Sequence, residues 1–186
     1  MRIIAGDLKG RSLKTTSGPG YRPAMGKVRQ ALFSMLEARG VAWPETRVLD
    51  LFAGSGSLGF EALSRGARGV HFVESGARAA ALIEENARRF GIDPEKFQVR
   101  RDEVRNVLGK RCPLPFDVVF VDPPYGRDLL SPSVNALLRG GWLAEGGILN
   151  AEIEGRLDFD AETFHPALSC VADRAYGQTR VVLWTI

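Results

Sequence analysis

Apolar positions along the chain follow two spacings, one typical of buried strands and the other typical of helices. The predicted strands cover residues 48–52, 70–74, 97–101, 118–121 and 148–153. The predicted helices run from 27 to a glycine at 40, over 58–64, from about 77 to 90, and near 132–138. Strands that alternate with helices in this way favour a doubly wound, mostly parallel α/β sheet.

The end of the chain has a different pattern. Two β-rich runs, at 168–176 and 179–186, are separated only by Gly177 and Gln178. This arrangement predicts an antiparallel hairpin that closes the parallel sheet. We therefore expect one larger domain over residues 27–186.

The beginning of the chain concentrates positive charge. Residues 2–16 have short apolar runs around a polar turn, which predicts a small β-hairpin, and residues 17–20 predict a loop. The first 30 residues hold seven Lys or Arg and one acid, whereas the other 156 hold 18 and 21. A basic extension over residues 1–26 suits a polyanionic partner such as RNA, because neutralised phosphates release counterions. An ordinary solvated surface explains the charge equally well.

Other features of the sequence exclude several classes of protein. No apolar run approaches the roughly 20 residues that span a bilayer, and the first residues lack the apolar stretch of a signal peptide. Cys112 and Cys170 form neither a metal-binding spacing nor a disulfide framework. We expect a monomeric, cytoplasmic protein that binds neither a metal nor a membrane.

The segment from Asp50 to Gly59 is a glycine-rich turn between a predicted strand and a predicted helix. Gly54 and Gly56 allow a tight turn and the close approach of a ligand, and Gly59 would let the helix pack on the strand. Three interpretations compete here: a turn without a ligand, a nicotinamide or flavin site, and a site for S-adenosylmethionine.

Two acids near the glycine turn favour S-adenosylmethionine. Asp50 would repel the pyrophosphate of a dinucleotide, and it would attract the ammonium group of a methionine moiety, directly or through water. Glu74 lies at the end of the next predicted strand, where it can accept hydrogen bonds from ribose hydroxyls.

The segment Asp122–Tyr125 has the sequence Asp-Pro-Pro-Tyr and ends the strand at 118–121. Its prolines lack N–H groups, so the Asp122 carboxylate and the Pro123 carbonyl leave the turn rich in acceptors. Two acceptors can orient the exocyclic amine of a base, and Tyr125 can stack on its ring. The base must be unpaired or extruded to reach them. The motif lacks the cysteine that transfer to cytosine C5 would require, although alone it could be a rigid turn.

Taken together, these residues resemble the RsmD family, bacterial methyltransferases that modify guanine N2 in small-subunit ribosomal RNA. The resemblance runs nearly end to end, and the N-terminal segment is its most specific part. It rests on Arg2–Gly6, Gly10-Arg11, Arg22-Pro23, Val28-Arg29, Ala31–Phe33, Asp50–Gly56, Glu61–Ala67, Val121–Tyr125, Gly141–Leu143 and Tyr176–Thr179. The chain departs from the family at Ala24–Lys27 and Gln30, where threonine, aspartate and glutamate are usual.

The resemblance implies a Rossmann-like class I methyltransferase fold, S-adenosylmethionine as cofactor, and 16S ribosomal RNA, free or in the 30S subunit, as substrate. The expected cofactor-binding residues are Asp50, Phe52, Ala53, Gly54, Gly56, Glu74, Asp102 and Asp122, with Asp102 at the adenine amino group. The expected catalytic residues are Asp122, Pro123, Pro124 and Tyr125. The expected contacts to RNA are Arg11, Lys14, Arg22 and Arg29, with Tyr125 against the target base.

Three alternatives stay open at this point. An amino methyltransferase for another nucleic acid, such as one acting on adenine N6 in DNA, has the same kind of target, but no region is long enough to read a DNA sequence. A nicotinamide-dependent oxidoreductase is disfavoured by Asp50 and the proline turn. A non-catalytic RNA-binding module with this fold is disfavoured by the intact Asp-Pro-Pro-Tyr motif.

Overall fold

A computed structural model of the protein describes residues 1–15, 23–124, 126–155 and 159–186, the side chains of 23–25 excepted. Within these ranges, seven strands form one sheet in the order β3-β2-β1-β4-β5-β7-β6. The strands are β1 (Arg47–Leu51), β2 (Gly69–Val73), β3 (Phe97–Arg100), β4 (Phe116–Val121), β5 (Leu143–Glu154), β6 (Ser169–Tyr176) and β7 (Thr179–Thr185). The first five are parallel, and β7 runs antiparallel between β5 and β6.

Helices cover both faces of the sheet, which is why its central strands are mostly apolar. The helices are α1 (Pro23–Glu37), α2 (Ser57–Ser64), α3 (Ala77–Phe90), α4 (Val104–Leu108) and α5 (Leu130–Arg139). The first three share one core, where Phe33, Phe60 and Ile83 are buried. The last two share the other core, around Val107 and Val134. None of the described helices is long and apolar enough to cross a membrane.

This architecture confirms the predicted doubly wound sheet and its closing hairpin. The helix predicted from Lys27 begins earlier, at Pro23, because proline is favoured in the first turn of a helix. The strand predicted from Ile148 begins at Leu143, and its pairing with β4 shifts in register near the start. Sequence periodicity missed α4, because a helix of five residues completes little more than one turn.

The N-terminal segment, residues 1–15, packs against the domain rather than extending from it. Its predicted hairpin consists of one antiparallel bridge between Arg2 and Ser12, with the backbone N–H of Ile3 bonded to the carbonyl of Arg11 at 3.0 Å. Its apolar residues Ile3, Leu8 and Leu13 are buried in the core of the first three helices. The predicted boundary between residues 26 and 27 falls within α1, and the predicted loop at 17–20 lies outside the described residues.

The buried carboxylate of Glu61 in α2 holds this segment in place. It accepts hydrogen bonds from the backbone N–H groups of Ile4 at 2.8 Å and Ala5 at 3.0 Å. It also pairs with Arg65 at 3.0 Å, and the Nε of Arg29 lies 3.8 Å away. A buried charge with this many partners is a strong link between the N-terminal segment and α2.

Gly59 sets how closely α2 lies on the sheet. A Cβ added at Gly59 would lie 2.2 Å from Cε1 of Phe72 and 2.8 Å from Cγ1 of Val70, both side chains of β2. Only a residue without a side chain fits this contact, which confirms the close packing that the glycine spacing predicts.

The substitution Gly59→Ala should therefore lower the free energy of unfolding by about 1–3 kcal/mol, the usual cost of overpacking a core. Urea denaturation followed by circular dichroism measures it. Gly69→Ala is the matched control, since its new methyl would lie 3.6 Å from the Lys96 carbonyl oxygen, in ordinary contact. It should change stability by less than about 1 kcal/mol. Equal stabilities for the two variants would contradict the packing argument.

Candidate active site

The carboxyl ends of the parallel strands border a cleft of about 860 Å³. Phe52 follows β1, Glu74 follows β2, Asp102 precedes α4 and Asp122 follows β4, and all four side chains line the cleft. Ligands in open α/β sheets bind at this edge, where the order of the strands reverses. The structure thus brings the glycine turn and the proline turn to one cavity, as the sequence predicts.

Asp50 lies beneath the glycine turn instead of lining the cleft. Its side chain is 2% exposed, and its carboxylate accepts a hydrogen bond from the backbone N–H of Gly59 at 3.0 Å. Burial raises the pKa of Asp50 well above its usual range; the Gly59 hydrogen bond opposes this, and the nearby carboxyls of Asp122 and Glu74 add to it. In this geometry Asp50 shapes the turn by tying the first residues of α2 to the end of β1.

The glycine turn is a run of unusual backbone conformations. Gly54 and Gly56 have positive φ angles of 54° and 73°, and Phe52 has a φ of 59°. Left-handed backbone at a phenylalanine is uncommon and tends to occur where a site requires it. Phe52 is held there in the wall of the cleft, while Ala53, Gly54 and Gly56 form the turn behind it.

Glu74 connects the glycine turn to the end of β2. Its two carboxylate oxygens accept hydrogen bonds from the backbone N–H groups of Gly54 at 2.8 Å and Gly76 at 2.6 Å. Each carboxylate oxygen has a second lone pair, so the group can still accept bonds from ligand hydroxyls. Its position suits the ribose of a nucleoside.

Asp102 places a second acceptor at the mouth of the cleft. Its carboxylate accepts hydrogen bonds from the side-chain amide of Asn106 and the backbone N–H of Glu103, each at 2.9 Å. These hydrogen bonds, with Arg100 nearby, lower the pKa of Asp102. An ionised acceptor at this point suits the amino group of an adenine.

Asp122 has a neighbour that sequence reasoning missed, Glu152 of β5. Burial raises the pKa of both carboxyl groups, and for Glu152 the charge of Asp122 acts in the same direction while Arg29 opposes it. Both side chains line the cleft with Pro123. The available signal was a single acid inside the apolar run 148–153, which the sequence analysis treated only as a strand.

The candidate RNA contacts are in different situations. Arg22 and Tyr125 lie outside the described residues. Arg29 is 4% exposed and donates a hydrogen bond to the Arg2 carbonyl at 2.6 Å. Arg11 donates to the carbonyls of Arg89 at 2.7 Å and Phe90 at 3.1 Å, at the C-terminus of α3. Both guanidinium groups bind the protein itself.

Lys14, like Arg11, is exposed at the surface. Its side chain is half exposed and pairs with Glu85 of α3. It borders a shallow groove of about 470 Å³ that Arg78 and Arg88 also line. Three basic side chains and one acid leave this groove with excess positive charge.

The cleft fits S-adenosylmethionine on chemical grounds. Five of its lining side chains are carboxyls and none of the described ones is basic. Glu74 and Asp102, which follow β2 and β3, offer acceptors to the hydroxyl and amino hydrogens of an adenosine. The acidic lining also suits a sulfonium cation and disfavours the phosphates of a dinucleotide.

Comparisons of the sequence and of the structure with known proteins agree with one another. The family model described as conserved hypothetical protein 95 matches residues 1–185. The chain is 36% identical over 154 residues to ribosomal RNA small subunit methyltransferase D of Escherichia coli K12, covering 83% of this chain and 75% of that protein. It is 34% identical to putative rRNA methyltransferase YlbH of Bacillus subtilis, over 99% and 98% of the two chains. The structure of the putative methyltransferase yhhF from Escherichia coli superposes with a TM-score of 0.84 at 32% identity, covering 100% and 97%.

Replacement of Glu74 tests its contribution to cofactor binding. Glu74→Ala removes a charged acceptor, and such hydrogen bonds contribute about 1.5–3 kcal/mol, so S-adenosylmethionine affinity should fall roughly tenfold or more by calorimetry. Glu84→Ala, at an exposed position of α3, is the control and should leave the affinity unchanged. Unaltered binding to Glu74→Ala would remove this residue from the site.

Proposed function

The chain belongs to the RsmD family, which confirms the resemblance seen in its sequence, and we propose that it methylates the exocyclic N2 amino group of a guanine in small-subunit (16S) ribosomal RNA. S-Adenosylmethionine is the methyl donor. One observation carries the chemistry: the acceptors of the proline turn, Asp122 and Pro123, face the same cleft as Glu74 and Asp102.

The bound cofactor supplies an electrophilic methyl group on a sulfonium. Glu74 holds the ribose hydroxyls, and Asp102 accepts a hydrogen bond from the adenine amino group. Phe52 forms an apolar part of the wall of the cleft. These contacts fix the direction of the methyl group, and positioning of this kind supplies a large part of the acceleration in group transfer.

Asp122 and Pro123 hold the nucleophile. The carboxylate and the carbonyl accept the two hydrogens of the N2 amino group, which orients the nitrogen toward the methyl group. They also stabilise the positive charge that grows on nitrogen as it attacks. The nitrogen becomes acidic once it is alkylated, and the raised pKa of Asp122 then suits it to accept the proton.

The target guanine reaches these acceptors only when it is outside a base stack. We assign Tyr125, beside Pro124 in the sequence, to stacking on the extruded base, as aromatic side chains do in other single-strand sites. Two adjacent prolines keep the turn rigid, so that the base is bound against a fixed edge.

Affinity for RNA comes from phosphate contacts on the basic groove between residues 1–15 and α3. Lys14, Arg78 and Arg88 are its cations. Arg11 and Arg29 contribute indirectly, since they fix the N-terminal segment on the domain. Free 16S ribosomal RNA and the 30S subunit both present phosphates to such a surface. We place the reaction in the cytoplasm, with the protein as a monomer.

Incubation with tritiated S-adenosylmethionine and small-subunit ribosomal RNA should yield N2-methylguanosine on nucleoside analysis. Asp122→Ala should reduce kcat about a hundredfold or more, because it removes an acceptor at the reacting nitrogen, while cofactor affinity stays near normal. Asp7→Ala, at an exposed position outside the cleft, is the control. Label in N6-methyladenine of duplex DNA would overturn the assignment, and near-normal turnover of Asp122→Ala would overturn the mechanism.

The basic groove is tested by charge reversal. The double variant Arg78→Glu/Arg88→Glu should bind small-subunit ribosomal RNA roughly tenfold or more weakly, with a log–log salt slope flatter by about 1 or more. Lys110→Glu/Arg139→Glu makes the same change of net charge at exposed positions outside the groove. It should have a much smaller effect, and both variants should bind S-adenosylmethionine normally. Equal loss of RNA binding in the two variants would mean that the groove has no special role.

A further inference from the structure

A second carboxyl group stands beside Asp122 and has no part in the mechanism above. β4 and β5 are parallel and pair Val121 with Ala151, so Asp122 and Glu152 are the next residues along each strand. Side chains alternate between the faces of a sheet, and Phe120 and Ile148 show that these even positions face the core of the first three helices. Both carboxyls therefore point to the same side, at the floor of the cleft.

Glu152 lies between two neighbouring cavities. With Pro123 and Pro124 it borders the main cleft, and with the same two prolines it borders an adjoining cavity of about 360 Å³. The side chain thus faces the space on both sides of the proline turn. Because Asp122 and Glu152 follow the paired residues Val121 and Ala151, a base held by Asp122 and Pro123 would have ring atoms near Glu152.

Among the described residues, none donates a hydrogen bond to the carboxyl of Asp122 or Glu152. Burial nevertheless raises the pKa of both carboxyl groups. Acceptors in such surroundings cost free energy unless a donor reaches them. Donors to these two groups must come from the cleft that they line, as water or as a ligand.

Guanine presents the matching set of donors. Its pairing edge has two N–H bonds on N2 and one more on the adjacent N1. Adenine has two N–H bonds on N6, but its N1 carries a lone pair. Asp122 and Pro123 account for the amino hydrogens of either base, so the group that meets N1 decides between them.

We propose that Glu152 accepts the N1–H of the target guanine and thereby selects guanine over adenine. The inference rests on the proposed function and adds a specificity-determining residue to it. An ionised carboxylate has only acceptor sites, so it binds an N–H and repels the lone pair of adenine N1. Burial and the charge of Asp122 raise the pKa of Glu152 to about 8, while Arg29 of α1 opposes this. An N1–H donated to Glu152 would lower that pKa and favour the ionised form.

The test uses an RNA in which the mapped target guanine is replaced by 2-aminopurine. This base keeps the amino group at C2 but has a lone pair at N1. Wild-type protein should methylate the guanine RNA with a kcat/KM about tenfold to a hundredfold higher than the 2-aminopurine RNA, the range expected for one hydrogen bond to a charged group. In Glu152→Ala the guanine rate should fall and the preference should disappear.

Two variants control the interpretation. Glu152→Gln keeps an oxygen acceptor and should retain part of the preference. Glu145→Ala changes an exposed acid at the other end of β5 and should retain all of it. Calorimetric binding of S-adenosylmethionine to Glu152→Ala establishes that this variant is folded.

The outcomes separate this inference from the function on which it rests. Formation of N2-methylguanosine with the same base preference in wild type and Glu152→Ala would overturn the role of Glu152 alone, and would assign the preference to another atom of the base. Failure of the wild-type protein to form N2-methylguanosine in any small-subunit ribosomal RNA would overturn the proposed function itself.

Discussion

The hydrogen bond from the Gly59 N–H to the buried Asp50 carboxylate is the constraint on which the site depends. This hydrogen bond of 3.0 Å fixes the start of α2 near the end of β1. The chain between them must then fold back as a tight turn. Gly59 can come this close because it lacks a side chain that would meet Phe72. The left-handed backbone at Phe52, Gly54 and Gly56 follows from that closure, and it presents the N–H of Gly54 to Glu74. A single buried acid thus joins the packing of a helix to the shape of the cofactor cleft.

The N-terminal segment shows how the same charges serve two purposes. Seven basic residues among the first 30 suggest a phosphate-binding arm. Arg11 and Arg29 instead bind backbone carbonyls within the protein, and Glu61 receives the backbone of Ile4 and Ala5. This anchoring places Lys14 beside the arginines of α3. The basic surface is therefore assembled from two parts of the chain that are distant in sequence.

The sequence predicted most of the fold because strand and helix periods, glycine turns and proline turns are local signals. Asp50, Glu74 and Asp122 could be placed at one edge, since parallel strands end on the same side of a sheet. Two features could not be predicted in this way. Whether an arginine such as Arg29 is buried depends on partners far along the chain. The pairing of Asp122 with Glu152 depends on the register between β4 and β5, which no local pattern encodes.

The acids in and beneath the cleft differ in the direction in which the protein shifts their pKa values. Hydrogen bonds at the surface lower the pKa of Asp102, whereas burial raises the pKa of Asp50, Asp122 and Glu152. Carboxylates crowded in a site of low polarity cannot all be charged at once. A base that donates N–H groups to Asp122 and Glu152 would offset this crowding and favour their ionised forms, and we propose that Glu74 and Asp102 hold the hydroxyl and amino groups of the cofactor. The same crowding that destabilises the floor makes it receptive to a donor, so in the proposed complex a base with N–H groups at N1 and N2 would relieve that cost.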